Sequence, residues 1–258
     1  AMRVVSPASV SASGVVERFR PAAAEDLLAL ATLHERELDP TLVLSLWQDC
    51  YEDFLGLRLQ KERGREALAL LRQGLTEIPT SLGQDALDRL AADFADIYLT
   101  YGLRASPCES VWLDEDNLTM QEPMFRVREW YRRYGIGVED WRSRTDDHLV
   151  NELRFLAHLL GSEEQGAPLE DAAGFMDEHP LRWVDQFAQR VAARCDTGFY
   201  AGLALLTGAY LDELRDLLAG ILDSPRPSAE EIDERMRPAK AVSVDVSGPY
   251  VPGVAPTW

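Results

Sequence analysis

The most chemically versatile side chains of this sequence lie close together, at Asp147, His148 and Glu152. A histidine next to carboxylates can act as a general acid or base, with one carboxylate holding a single tautomer of the imidazole. On an α-helix, His148 and Glu152 would lie one turn apart on the same face. The same acidic residues could instead only complement the positive end of a helix dipole, and this alternative involves no chemistry.

A metal site is a second possibility, in which His148 and Glu152 would be joined by His158 or His179. The spacing argues against it, because His158 points to another side of the same helix and the HExxH motif is absent. The cysteines are far apart and form no CxxC pair; they are Cys50, Cys108 and Cys195. We therefore expect neither a metal ion nor a cofactor.

Composition and missing motifs exclude several classes of function. The chain has no GxxxxGK[ST], GxGxxG or GxSxG motif, which argues against a phosphate-binding loop and a hydrolase nucleophile. It carries 44 acidic and 26 basic residues, a net charge of −18, which disfavours nucleic acid and favours basic partners. No secretory signal and no run of about 18 apolar residues is present, so we expect no membrane span. Unpaired thiols fit a reducing, cytoplasmic location.

A strongly amphipathic segment follows Asp147 and would position the acidic cluster. Its apolar residues recur at helical spacing, at Leu149, Leu153, Leu156 and Leu160. Asp146 or Asp147 stands where the N-cap of such a helix belongs. The sequence therefore predicts a helix that begins at the cluster and buries its leucine face.

Similar patterns recur along most of the chain and predict an all-α fold of about eight to ten helices. We expect one helical domain at residues 25–223, preceded by a flexible segment at 1–24 and followed by a Pro- and Gly-containing tail at 224–258. Three tail residues alternate as in a strand, but no second strand candidate could pair with them: Val242, Val244 and Val246. Most aromatic side chains in the helical stripes are expected in the core.

Four blocks of sequence together resemble the TorD/DmsD family of redox-enzyme maturation chaperones, which is related to the delta-type assembly proteins of nitrate reductases. The blocks are Ser106–Leu113, Arg128–Gly135, Asp147-His148 with Glu152 and Phe155-Leu156, and Phe175-Met176 with His179, Trp183 and Phe187. Their order and spacing match the family over roughly Leu42 to Leu222. The resemblance implies a hinge between N- and C-terminal halves at His179 and Trp183.

The resemblance also implies a function and a site. Family members bind the twin-arginine leader and apo form of a molybdoenzyme in the cytoplasm, assist cofactor insertion and delay export. Asp147-His148 is similar to the family's most characteristic pair, which is tied to leader binding, with Glu152 as support for His148. The side chains that would border this peptide site are Trp112, Glu109, Tyr98 and Tyr101. An acidic helical protein with an aromatic-lined groove would suit a basic, partly apolar leader.

Two other functions fit the same residues. The chain could be a delta-type subunit that stays with its oxidoreductase, or a weak nucleotide-hydrolysing enzyme that uses His148 and Glu152. The missing phosphate-binding loop argues against the enzyme. We expect no enzymatic activity, and either a monomer or a dimer formed by helix exchange.

Overall fold

The computed structural model describes residues 12–49, 55–140, 142–161 and 169–237, and Cys50 and the alternating valines of the tail lie outside these ranges. The described residues contain no β-strand, which confirms the all-α prediction. They form the α-helices α1 (Ala12–Glu35), α2 (Pro40–Asp49), α3 (Glu62–Thr76), α4 (Gln84–Phe94), α5 (Ser110–Leu113), α6 (Glu122–Arg133), α7 (Leu149–Gly161), α8 (Leu169–Glu178), α9 (Val184–Ala192), α10 (Gly198–Leu222) and α11 (Ala229–Met236). A π-helical turn, Ala95–Leu99, extends α4, and a 3₁₀ turn, Pro180–Arg182, joins α8 to α9.

Two segments are more helical than the sequence analysis expected. Helix α1 begins at Ala12, inside the segment predicted to be flexible, because Phe19 and Ala23 are buried in the core. Helix α11 lies in the predicted tail and starts with a capping box. There the Ser228 hydroxyl accepts the Glu231 N–H at 3.2 Å, and the Glu231 carboxylate accepts the Ser228 N–H at 2.7 Å. The described residues up to 226 form one compact unit, and those from 227 to 237 belong to another.

The first unit is built around α10, which is buried along most of its length and packs against α1, α3, α8 and α9. The contact between α3 and α10 is so close that backbone meets backbone. A Cβ atom on Gly202 would lie 2.4 Å from the Leu71 nitrogen, and one on Gly74 would lie 2.3 Å from the Phe199 nitrogen. Glycine is required at both positions because any side chain would push the two helices apart.

Three buried carboxylates attach loops to the helical core. Each accepts two backbone N–H groups from a distant segment at 2.6 to 3.0 Å, which satisfies donors that would otherwise be costly to bury. They are Asp26 with Gly56 and Leu57, Asp93 with Asp196 and Thr197, and Glu213 with Gln60 and Lys61. The loops between helices are therefore held by specific polar contacts in addition to apolar packing.

Helix α7 carries the cluster singled out from the sequence and packs along α1. Its leucine face is fully buried, as predicted: Leu149, Leu153, Leu156 and Leu160. This packing places the first turn of α7 beside the end of α1 and beside the segment that leads into α5.

Of the described helices, none has both the length and the apolar character needed to cross a membrane.

Candidate functional site

His148 itself caps the helix that follows it. Its ring Nδ1 accepts the Val150 N–H at 3.1 Å, and its carbonyl oxygen accepts the N–H groups of Asn151 and Glu152 at 2.8 and 3.1 Å. The expectation that Asp146 or Asp147 forms the N-cap is therefore wrong. Because Nδ1 is an acceptor, the neutral ring carries its proton on Nε2. Burial, with smaller contributions from Arg144 and His34, lowers the pKa of His148 to about 3, so the ring is neutral at pH 7.

The Asp147 carboxylate points into the protein. One oxygen accepts the N–H and the hydroxyl of Ser110 at 2.8 and 2.6 Å, and the other accepts the Thr145 hydroxyl at 2.5 Å. The residue is 0% exposed, and burial raises its pKa although these hydrogen bonds lower it. The Asp147 carboxylate is therefore closed to solvent in this structure, and its expected role in peptide binding stays a prediction.

The segment before α5 pairs with the segment before α7. The Glu109 N–H donates to the Asp147 carbonyl at 2.9 Å, and the Leu149 N–H donates to the Pro107 carbonyl at 2.8 Å, so that Cys108 and His148 form an antiparallel bridge. Burial raises the pKa of the Cys108 thiol to about 12, which leaves it protonated and unsuited to nucleophilic attack. Two of the sequence blocks are thus joined through their backbones.

Helix α6, which contains all but the last two residues of the block Arg128–Gly135, holds the opposite side of this junction. The Arg128 guanidinium donates to the buried Asp146 carboxylate at 2.8 Å, and the Tyr131 hydroxyl donates to the Asp146 carbonyl at 2.9 Å. A charge-assisted pair of this kind is stronger than a neutral hydrogen bond when it is partly buried. The block therefore positions the start of α7 in this structure.

Glu109, Glu152, His179 and Trp183 form a second buried cluster behind α7, and all four are 0% exposed. The Glu109 carboxylate contacts His179 Nδ1 at 3.0 Å, and Trp183 Nε1 donates to Glu152 at 3.2 Å. Burial and the adjacent Glu109 carboxyl raise the pKa of Glu152 well above its ordinary value, which favours the protonated form of Glu152. The Glu152 side chain therefore contacts Trp183 in the core and not the His148 ring, and its expected role as indirect support for His148 stays a prediction.

The cluster joins the elements at which the resemblance implies a hinge. His179 ends α8 and Trp183 precedes α9, and both are anchored to the Glu109–Glu152 pair. A hinge at these two residues stays a prediction. If it moves, this buried cluster must open.

An open cavity of about 470 Å³ lies on the other side of the start of α7. Three of the sequence-predicted site residues line it: His148, Tyr98 and Tyr101. Its apolar wall also contains Leu99, which is 65% exposed, and Tyr101 is 40% exposed at the rim. Tyr101 holds a left-handed backbone conformation with φ of 54°, which turns the chain at this edge.

Tyr98 is fixed by a chain of buried hydrogen bonds. Its hydroxyl lies 2.5 Å from His34 Nδ1, and His34 Nε2 lies 2.8 Å from the Thr207 hydroxyl oxygen. The Thr207 hydroxyl donates to the Leu203 carbonyl at 2.9 Å, so it must accept from Nε2–H, and Tyr98 must donate to Nδ1. Burial lowers the pKa of His34 to about 3, which keeps this direction of donation at neutral pH. Tyr98 therefore offers the groove only its ring.

Trp112 does not line the cavity. Its indole N–H donates to the Ser106 carbonyl at 2.8 Å, and the Arg190 guanidinium lies over the ring at 4.4 Å from its centroid. The expected set of border residues is thus divided: Tyr98, Tyr101 and His148 meet at the cavity, whereas Trp112 and the three carboxylates lie away from it.

The charged lining of the cavity was missed by sequence reasoning. Glu35, at the end of α1, contributes a carboxylate, and Arg144 and Arg154 contribute guanidinium groups. Glu35 is more than a hundred residues before the other two, and no local motif marks it. Only the packing of α1 on α7 brings it there.

The arrangement does not support acid–base catalysis by His148 and Glu152. The His148 ring caps α7 at the cavity, whereas the Glu152 carboxyl bonds Trp183 in the core. Among the described residues, no group of three or more His, Cys, Asp or Glu side chains has the geometry to hold a metal ion.

Comparison with known proteins shows one matching family and several named relatives. The family described as nitrate reductase delta subunit matches residues 59–189. The chaperone protein TorD of Vibrio vulnificus is 34% identical over 145 residues, which cover 53% of this chain and 67% of the relative. TorD of Photobacterium profundum is 29% identical over 201 residues, which cover 74% of this chain and 92% of the relative. The matched region contains both buried clusters and Tyr98, Tyr101 and His148 of the cavity.

Proposed function

Since the chain belongs to the TorD/DmsD family of redox-enzyme maturation chaperones, we propose that it binds the twin-arginine leader and apo form of a molybdoenzyme in the cytoplasm. By holding the apoenzyme it would assist insertion of the molybdenum cofactor and delay export. It acts in this proposal as a chaperone and not as an enzyme, in keeping with the names of its relatives.

The observation that carries the proposal is the mixed chemistry of the cavity between α1, α7 and the turn after α4. A twin-arginine leader has a basic segment followed by an apolar segment. Tyr101 and Leu99 offer exposed apolar surface at the rim, and Glu35 offers a carboxylate in the same cavity. Such a groove can bury an apolar helix or extended segment and pair its basic end. The net charge of −18 adds long-range attraction for a basic leader.

His148 suits a peptide backbone better than an arginine. Its Nδ1 is used by the cap, so Nε2–H is the polar group left for the groove, and it can donate to a peptide carbonyl. Because the ring is neutral at pH 7, it does not repel a leader arginine. Asp147, Glu109 and Glu152 act in this proposal as positioning residues, which hold the junction that presents His148.

A pair of exposed leucines gives a direct test of where the leader binds. Leu99 lies at the rim of the cavity and Leu118 lies in the loop before α6, and both are more than half exposed. Leu99→Ser should weaken binding of a synthetic leader peptide about three- to tenfold, because less apolar surface is buried in the complex. Leu118→Ser, the matched control, should leave the affinity unchanged. Binding is measured by fluorescence anisotropy of the labelled peptide.

Two results would contradict the proposal. One is a wild-type protein that binds no leader at micromolar concentration. The other is an equal loss in Leu99→Ser and Leu118→Ser, which would mean that apolar surface matters without any preference for this cavity.

The matching family description favours a second candidate, a delta-type subunit that stays with its oxidoreductase. The two candidate functions differ in how long the chain stays bound to its oxidoreductase. A maturation chaperone dissociates once the cofactor is inserted, so it should be absent from the purified mature enzyme. Co-purification in stoichiometric amount with a mature, cofactor-loaded oxidoreductase would favour the delta-type subunit.

A further inference from the structure

Glu35 is the meeting point of two arginines from different segments. One carboxylate oxygen accepts from Arg144, in the turn before α7, and the other accepts from Arg154, on α7. All three side chains line the cavity, and they keep 25%, 31% and 47% of their side-chain surface exposed, in the order Glu35, Arg144, Arg154. The carboxylate thus holds two guanidinium groups, one on each oxygen, at a place that solvent reaches.

The other carboxylates near the start of α7 are buried or bound to partners other than arginine. Asp147 is fully buried and accepts from Ser110 and Thr145, and Glu109 and Glu152 are buried behind α7. Asp140 also lines the cavity, but its carboxylate accepts the hydroxyl of Ser143. Among the described residues that line the cavity, Glu35 is therefore the carboxylate that already binds arginine.

We propose that Glu35 is the residue that distinguishes arginine from lysine in this groove, and that Arg154 occupies its place until a leader arginine displaces it. This inference rests on the proposed leader-binding function. An incoming guanidinium can form the same hydrogen bonds to Glu35 that Arg154 gives up, so one arginine–carboxylate contact replaces another of the same kind. A leader lysine cannot, because its ammonium group lacks the planar fork of donors.

The solvent exposure of Arg144 and Arg154 indicates which of the two leaves Glu35 when a leader arginine binds. Arg154 keeps about half of its side chain in water, and ion pairs between exposed groups are weak. Arg144 is more enclosed and lies three residues before the junction that carries Asp147. Arg154 is therefore the side chain that can swing away without disturbing the segment before α7.

The first test removes Arg154, which competes with a leader arginine for Glu35, and compares this variant with a control that removes an arginine elsewhere on the surface. Arg154→Gln should tighten binding of an Arg-Arg leader peptide about three- to fivefold, because Glu35 no longer has to release an internal partner. Arg89→Gln changes the net charge equally and breaks an exposed pair with Asp196 that does not line the cavity. This control should change the affinity by less than about twofold.

The role of Glu35 in distinguishing arginine from lysine is tested with the variant Glu35→Gln and a Lys-Lys variant of the same peptide. The wild type should prefer the Arg-Arg peptide by at least about tenfold, and Glu35→Gln should reduce that preference to about twofold or less. Circular dichroism and the melting temperature report whether the variants stay folded.

Each outcome separates the two proposals. If the wild type binds both peptides equally, or if Arg154→Gln behaves like Arg89→Gln, the role of Glu35 and Arg154 is overturned while leader binding stands. If the wild type binds neither peptide, leader binding fails and this inference fails with it. A preference for Arg-Arg that persists in Glu35→Gln would assign arginine reading to another residue.

Discussion

The two sides of the first turn of α7 use similar residue types in opposite ways. On the core side, the carboxylates of Asp147, Glu109 and Glu152 are fully buried and bound by partners of the same chain. On the cavity side, the Glu35 carboxylate is partly exposed and binds two arginines that water also reaches. A buried carboxylate with several donors stabilises one arrangement, whereas an exposed pair exchanges partners readily.

The carboxylates that stand out in the sequence make structural contacts, whereas Glu35, to which we attribute arginine recognition in our proposal, is marked by no motif. Asp147-His148 draws attention because it is compact and chemically versatile. Its aspartate nevertheless holds two segments together, and its histidine caps a helix with one ring nitrogen. A characteristic motif can thus mark a structural junction between two segments.

The largest expected effect is on the core side. Asp147→Ala removes the acceptor of three hydrogen bonds and leaves two buried donors of Ser110, its N–H and its hydroxyl hydrogen, without an acceptor. We expect a loss of about 3 kcal/mol in the free energy of unfolding, measured by urea denaturation. Asp88→Ala, at an exposed position on α4, should cost less than about 0.5 kcal/mol. If Asp147→Ala stays as stable as the wild type but loses leader binding, the comparison is reversed and Asp147 contacts the peptide.

A second expected effect concerns pH and the buried carboxyl pair. The pKa of Glu152 is raised in the folded state above its ordinary value of 4.5, so the unfolded chain releases this proton first. The contribution of Glu152 to stability is therefore present below pH 4.5 and is lost as the pH rises from there toward the raised pKa. Glu152→Gln keeps the shape of the protonated carboxyl and removes the titration.

We expect Glu152→Gln to gain stability over the wild type as the pH rises from about 5 to 8, because only the wild type must keep a carboxyl with a raised pKa protonated in the core. Melting temperatures across this range test it, with Glu170→Gln on the exposed surface of α8 as the control. A difference in melting temperature between Glu152→Gln and the wild type that stays the same at all pH values would contradict a raised pKa for Glu152.

The smallest expected effect separates the ring of Tyr98 from its hydroxyl. Tyr98→Phe keeps the aromatic wall of the cavity and leaves His34 Nδ1 without a donor. The free energy of unfolding should fall by about 1 kcal/mol, while the affinity for a leader peptide stays within about twofold. Isothermal titration and urea denaturation of the same preparation measure both quantities. A large loss of affinity with unchanged stability would mean that the hydroxyl faces the peptide.

The fold class and the buried face of α7 could be read from the sequence because they depend on short-range periodicity. Leu149 and Leu153 recur at the period of a helix, and their burial follows whatever the partner helix is. The starts of α1 and α11 were harder, since tertiary packing of Phe19 and a local capping box outweighed a composition that suggested loose chain. Capping of α7 was misassigned because three adjacent polar residues could all serve, and sequence spacing does not say which way each side chain turns.

By itself, the sequence determined that the protein is helical and acidic, that it carries the four blocks of its family, and that it lacks the GxxxxGK[ST], GxGxxG, GxSxG and HExxH motifs. Tertiary structure alone decided which of the marked residues face water. The path of α1 across α7 brings Glu35 to Arg144 and Arg154, and the pairing of Pro107 with Leu149 turns Asp147 inward. The physical reason is that the exposure of a polar side chain depends on contacts between segments far apart in the chain, which no local pattern records.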